Sequence, residues 1–187
     1  MSKPSNPFIL GLKLLGIQIM MILVSVFFLG SFSRFVDSNL GMKIYSSCTA
    51  LFFLSTYYSS IWQAGKRDAK HVKVYNKFNE SKIKIRYSNL IIAVLIALIP
   101  NIIALTALYI TGTHSIFNSV YRIWQSSFLG WLGDDNLTYL PNCVIVTFIP
   151  ALLSFPAYFA GTKEFVIIEK YLPMLIYNKK SGDKKKK

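Results

Sequence analysis

At 187 residues the chain has the length of one domain, and with 53% hydrophobic side chains and a mean hydropathy of +0.42 it carries more apolar surface than an ordinary soluble one. Its net charge of +13 does not point to nucleic acid, because the basic residues are segregated between long apolar blocks instead of sharing a face. Two cysteines exclude a disulfide framework and a cysteine metal quartet.

Four blocks, 14–33, 44–65, 87–113 and 136–162, contain no Asp, Glu, Lys or Arg. Each reaches about 20 residues or more, enough for a helix to cross a hydrocarbon core of about 30 Å. A backbone in hydrocarbon has to satisfy its own hydrogen bonds, so the blocks predict helices, with spans at about 8–29, 44–64, 87–110 and 141–161. Runs such as 90–99 do not alternate, which excludes a β-barrel. The expectation is an all-α membrane protein: a single integral membrane domain with four transmembrane helices.

In chain order, a short leader with Pro4 and Pro7 precedes the first span, which reads as uncleaved, with Lys13 snorkelling towards headgroups. A short hairpin makes the first and second helices antiparallel neighbours. Trp62 marks the inner end of the second helix. Segment 65–86 holds eight basic and two acidic residues, either as a loop or as a helical extension of the flanking spans.

The third block carries Pro100 and the amide Asn101 at mid-span, and the first carries the amide Gln18. Proline removes a backbone hydrogen bond, so Gln18, Pro100 and Asn101 together form a candidate polar or kink site. In the outer loop 111–140, Phe117, Val120, Tyr121, Trp124, Phe128, Trp131 and Leu132 recur at spacings of three and four. That spacing predicts an amphipathic helix lying flat at the outer interface between the third and fourth spans. A re-entrant path is disfavoured because Arg122 would be costly at depth. In the fourth span Pro141 starts the helix, and Pro150 and Pro156 fall inside it. Small residues follow one face of each of the last two spans: Ala93, Ala97, Asn101 and Ala104, then Ala151, Ser154, Ala157 and Gly161. They predict that these two helices pack together along the stripes. Residues 178–187 read as a disordered basic tail.

Orientation follows from charge. Of the 21 Lys and Arg, all but Arg34, Lys43 and Arg122 lie at the N-terminus, in 65–86 or after residue 162. Basic residues in short loops resist translocation, so both termini and the central connector face the cytoplasm. Lys66, Arg67, Lys70, Lys73, Lys77, Lys82, Lys84 and Arg86 then sit beside an anionic inner leaflet, where each contributes about 1 kcal/mol. The expected partners are anionic lipids, together with a membrane-protein partner or further copies of the chain, and no nucleic acid. Composition suits a bacterial plasma membrane. Lys184 and Lys185, fourth and third from the end, resemble a dilysine retrieval signal and make the endoplasmic reticulum the alternative.

Chemistry is not legible. There is no serine elbow, zinc-protease helix motif or phosphate loop, and no cofactor, catalytic or metal-binding residue is assigned. The expected function is a non-enzymatic accessory or scaffold subunit; the alternative is a small oligomeric permease or channel component beside Gln18, Pro100 and Asn101.

Overall fold

A computed structural model describes residues 5–31, 39–78, 83–112, 116–132 and 140–163. The described residues are helical almost throughout, with no strand: α1 Pro7–Ser31, α2 Asn39–Phe78, α3 Ser88–Thr111, α4 Ile116–Trp124, a 3-10 segment Ser126–Trp131, and α5 Leu140–Thr162. Lys82 and the 178–187 tail lie outside the described residues.

Three helices, α1, α3 and α5, are long and apolar enough to cross a membrane. The second helix stands apart because Ser, Thr and Tyr dilute its apolar block. It compensates by taking the most enclosed position: Tyr45, Ala50, Phe53, Tyr57, Ile61 and Ala64 recur at helical spacing and are buried. Hydroxyls on its open side bond their own helix, Ser55 and Thr56 each donating to the Phe52 carbonyl at 2.9 Å. A polar side chain bonded this way demands no outside partner.

The basic segment resolves in favour of helical extension. α2 runs 40 residues without interruption, past the end of its apolar block, to Phe78. Lys66, Lys70, Lys73 and Lys77, at spacings of four, three and four, are exposed on one stripe, while Asp68 and Ala69 turn towards the bundle. The chain then returns to α3 through residues 83–86. Asn76 pins this return, its amide donating to the Ile83 carbonyl at 3.0 Å and its oxygen accepting the Ile83 N–H at 2.8 Å.

Close packing pairs α1 with α3 and α2 with α5, and glycine sets both approaches. A Cβ on Gly161 would overlap the Trp62 carbonyl oxygen, one on Gly65 would overlap the Tyr158 carbonyl oxygen, and one on Gly11 would stand 2.9 Å from Ile96 Cβ. The predicted pairing of the two small-residue stripes is therefore corrected. Helices α3 and α5 do touch, but Gly161 serves the approach to α2, and Ala93 serves the approach to α1. Helices approach most closely where glycine removes the Cβ, and Gly11 and Gly65 lie on the partner helices. The first hairpin is looser than expected: Tyr45 OH donates to the Ser25 carbonyl, but an apolar groove of about 520 Å³ opens between α1 and α2.

The flat outer helix is also corrected. Helix α4 ends at Trp124, and its end and the following 3-10 segment pack into the bundle instead of crossing its end. Phe128 and Leu132 are at most 1% exposed, and Gln125, Ser126 and Ser127 are buried with them. Of the predicted apolar face, Phe117, Val120 and Trp131 stay exposed. The aromatic spacing suits one continuous helix, yet Phe128 has φ −117° and ψ 15°, which turns the chain inward after α4. Arg122 lies in α4, half-buried, between Tyr121, which bonds to α5, and Trp124, which bonds to Asn101.

Candidate functional site

The inward segment brings backbone that is not α-helical to the middle of an apolar bundle, where every N–H and C=O needs a partner. Neighbouring side chains supply them. Thr49 Oγ1 donates to the Ser127 carbonyl at 2.9 Å, and the Gly130 N–H donates to Ser46 Oγ. Within the segment the Phe128 N–H reaches the Gln125 carbonyl at 2.8 Å. Gly130 is obligatory here, because a Cβ would stand 2.6 Å from the Met42 carbonyl oxygen. Ser25 and Ser127 share a hydrogen bond of 2.9 Å across to α1.

At the tip, Trp124 Nε1 donates to Asn101 Oδ1 at 2.7 Å, and Gln125 Nε2 donates to the same oxygen at 3.3 Å. Asn101 Nδ2 in turn donates to the Ala97 carbonyl one turn back, at 3.2 Å. From α5, Thr147 shares a 3.0 Å hydrogen bond with the Tyr121 hydroxyl, which also donates to the Cys143 carbonyl at 2.9 Å. Asn101, Gln18 and Pro150 all fall near the midpoints of their helices, so these contacts define one level halfway up the bundle.

Between them lies a cavity of about 20 Å³, bordered by Gln18, Asn101, Trp124, Gln125, Ser127 and Thr147 with apolar residues around them. A polar cavity of this size holds about one water molecule. Gln18 Oε1 is buried and has no protein partner. An amide acceptor, neighbouring hydroxyls and room for one water form a hydration site in a region otherwise dry. Gln18 and Asn101, the two amides singled out from the sequence, thus meet on one cavity. Pro100 is half-buried beside Asn101 and does not line it; Pro150 of α5 does.

A second polar centre, not anticipated from the sequence, closes the opposite end of the bundle. Asp68 of α2 is 6% exposed and accepts the Ser5 N–H at 2.7 Å, the Ser5 hydroxyl, and the Tyr158 hydroxyl at 2.6 Å. Tyr87 packs edge-on against Tyr158, with ring centroids 5.8 Å apart. These contacts gather the start of α1, the later part of α2, the start of α3 and the end of α5 at one level. A buried carboxylate is tolerated when hydrogen bonds replace its water, and here three donors do so. The signal available in the sequence was the i, i+4 relation of Asp68 to Ala64, which places it on the buried stripe once α2 continues.

Among the described basic residues, Lys66, Arg67, Lys70, Lys73, Lys77, Lys84 and Arg86 are exposed at that same end. Lys66 lies over the Trp62 ring at 5.1 Å from its centroid. Cys48 and Cys143 are both free, Cys48 exposed and Cys143 buried. No protein-family model, curated protein or solved structure matches the chain.

Proposed function

We propose that the chain is a four-span membrane protein with both termini in the cytoplasm, acting as a small accessory or scaffold subunit without chemistry of its own. Four crossings are supported by the level meeting of helix ends around Asp68 and by α2 running the height of its neighbours, from Ser46 beside Gly130 to Asp68 beside Tyr158. The distribution of Lys and Arg supports the orientation, and composition supports a bacterial plasma membrane.

The observation that carries the accessory reading is where the polar groups go. At mid-height they bond to one another around space for a single water, which makes the bundle a closed body. What remains for outside contact is apolar helix surface and the cationic stripe. Helix α1 is the extreme case: Ile9, Leu12, Met20, Leu23 and Phe27 are each at least half exposed along one side. Lipid covers such a face, and so does a helix of a partner protein. The basic stripe adds attraction to an anionic leaflet.

The test is extraction from native membranes in mild detergent with the tagged chain. A stoichiometric membrane-protein partner is the expected result; a monodisperse single chain with no partner contradicts it.

A second reading, a permease or channel component, draws on the same centre. Segments entering a bundle with broken helices line transport paths in other membrane proteins, and Gln18, Asn101 and Thr147 would be its polar wall. It requires the cavity to widen. Unchanged flux in reconstituted vesicles carrying Asn101→Ala or Pro100→Ala would exclude it.

A further inference from the structure

We propose that the hollow between the inner part of α2 and the start of α3 binds the phosphate of an anionic lipid headgroup. The inference rests on the membrane orientation given above and adds a particular site to a diffuse attraction. The hollow has a volume of about 290 Å³, near the lower end of small-molecule pockets at roughly 300 Å³. Its wall carries His71 from α2, Lys84 and Arg86 from the return segment, and Asn89 from the first turn of α3.

The wall is built, not incidental. The two hydrogen bonds between Asn76 and Ile83 fix the return segment on α2, which keeps Lys84 and Arg86 on the wall of the hollow with their cations within reach of it. Neither has an ion-pair partner among the described residues. The start of α3 adds its partial positive charge, and Tyr87 at its N-cap supplies no side-chain cap. One carboxylate, Asp68, also borders the hollow. Its oxygens accept from Ser5 and Tyr158, on the side of α1 and α5, and form no ion pair with the return segment; its charge offsets one of the two cations and leaves the wall net positive. A phosphate meets a guanidinium, an ammonium and the second N–H of the Asn89 amide, whose nitrogen also donates to the Ser5 carbonyl at 3.5 Å, a donor set suited to its oxygens.

Lipid is favoured over a soluble phosphate by what adjoins the cations. Val72, Ile83 and Ile85 make up the rest of the wall. Immediately beyond it, Tyr87, Ile91 and Ile92 are exposed at 48%, 46% and 46%, an apolar track leading from the hollow along α3. A headgroup seated on Lys84 and Arg86 would lay its acyl chains along that track. The hollow opens where α3 enters its apolar stretch, the depth at which phosphates of the inner leaflet lie.

The test uses the full-length protein in phosphatidylcholine vesicles containing a minority of phosphatidylglycerol, re-extracted in mild detergent, with retained lipid counted by mass spectrometry. Wild type retains phosphatidylglycerol in preference. The double variant Lys84→Gln/Arg86→Gln loses about tenfold or more of that retention, whereas Lys66→Gln/Lys70→Gln, removing equal charge from the outward stripe, keeps it within about twofold, because diffuse attraction to the leaflet does not survive extraction from it. Exchanging the cations, Lys84→Arg/Arg86→Lys, preserves retention and controls for folding. Equal loss in the two Gln doubles overturns the site. Inorganic phosphate titrated into the lipid-free protein in detergent is expected not to bind. Binding with the same dependence on Lys84 and Arg86 overturns the lipid assignment. Failure of the wild type to enter vesicles would instead overturn the membrane reading beneath it.

Discussion

Trp124 Nε1 donates to Asn101 Oδ1 at 2.7 Å, tying the segment that enters the bundle to the midpoint of α3. Gln125 uses the same oxygen, so a single side chain holds two donors at the wall of the small cavity. Replacing Asn101 with Leu strands both. Stability should fall by about 1–3 kcal/mol, the cost of buried unpaired donors. Trp124→Phe removes one donor and its need together, and should cost less. Thermal unfolding in detergent of both single variants and the double measures the pair, with the double falling short of the sum.

Gln18 is expected to behave in the opposite way. Its Oε1 has no protein partner and faces the small cavity. Gln18→Leu removes that acceptor and fills space, so the melting temperature should hold or rise, by up to about 1 kcal/mol in stability. A loss as large as that of Asn101→Leu would mean that Gln18 is bonded in a way the structure does not contain.

Two glycines in similar apolar helices should respond oppositely to alanine. A Cβ on Gly161 overlaps the Trp62 carbonyl oxygen, whereas nothing lies within 4 Å of one on Gly16. Gly161→Ala should force α2 and α5 apart and cost about 1–3 kcal/mol, the range of overpacking. Gly16→Ala should gain roughly 0.5–1 kcal/mol from helix propensity alone. Melting curves of the two variants decide the matter.

Asp68→Asn leaves an amide opposite three donors that a carboxylate satisfied. The loss should be about 1.5–3 kcal/mol, since these hydrogen bonds involve a charged acceptor. Tyr158→Phe removes only one and should cost less. Limited proteolysis near Ser5 should accelerate in Asp68→Asn, because that carboxylate anchors the chain where α1 begins.

The apolar helices were legible because charge is absent from long, uninterrupted blocks. Gln18 and Asn101 were legible as a pair because each is a lone amide near the middle of such a block. Their partners were not. Trp124, Gln125 and Ser127 lie where the aromatic spacing also fits a surface helix, and the backbone breaks that helix at Gln125 and again at Phe128. Asp68 was hidden by its neighbours, since it sits in a run of Lys and Arg that reads equally as a loop or as a helical extension. It became a buried group because α2 continues beyond its apolar block, which turns every fourth residue back to the bundle. The small-residue stripes identified faces that pack but not their partners, because stripes carry no address and the closest approaches needed Gly11 and Gly65.

Cysteine labelling in intact cells tests the central claim, a bundle with one cytoplasmic basic end and a segment inserted from the other. On a Cys48→Ser/Cys143→Ala background, Ser119→Cys, Lys70→Cys and Ser127→Cys are exposed to a maleimide that cannot cross membranes. Ser119 and Lys70 are exposed in the structure, and Ser127 is buried. The account predicts labelling at 119 in intact cells, at 70 only after permeabilisation, and at 127 in neither. Labelling at 127 as fast as at 119 would place the segment on the surface, and labelling at 70 in intact cells would invert the orientation; either contradicts the account.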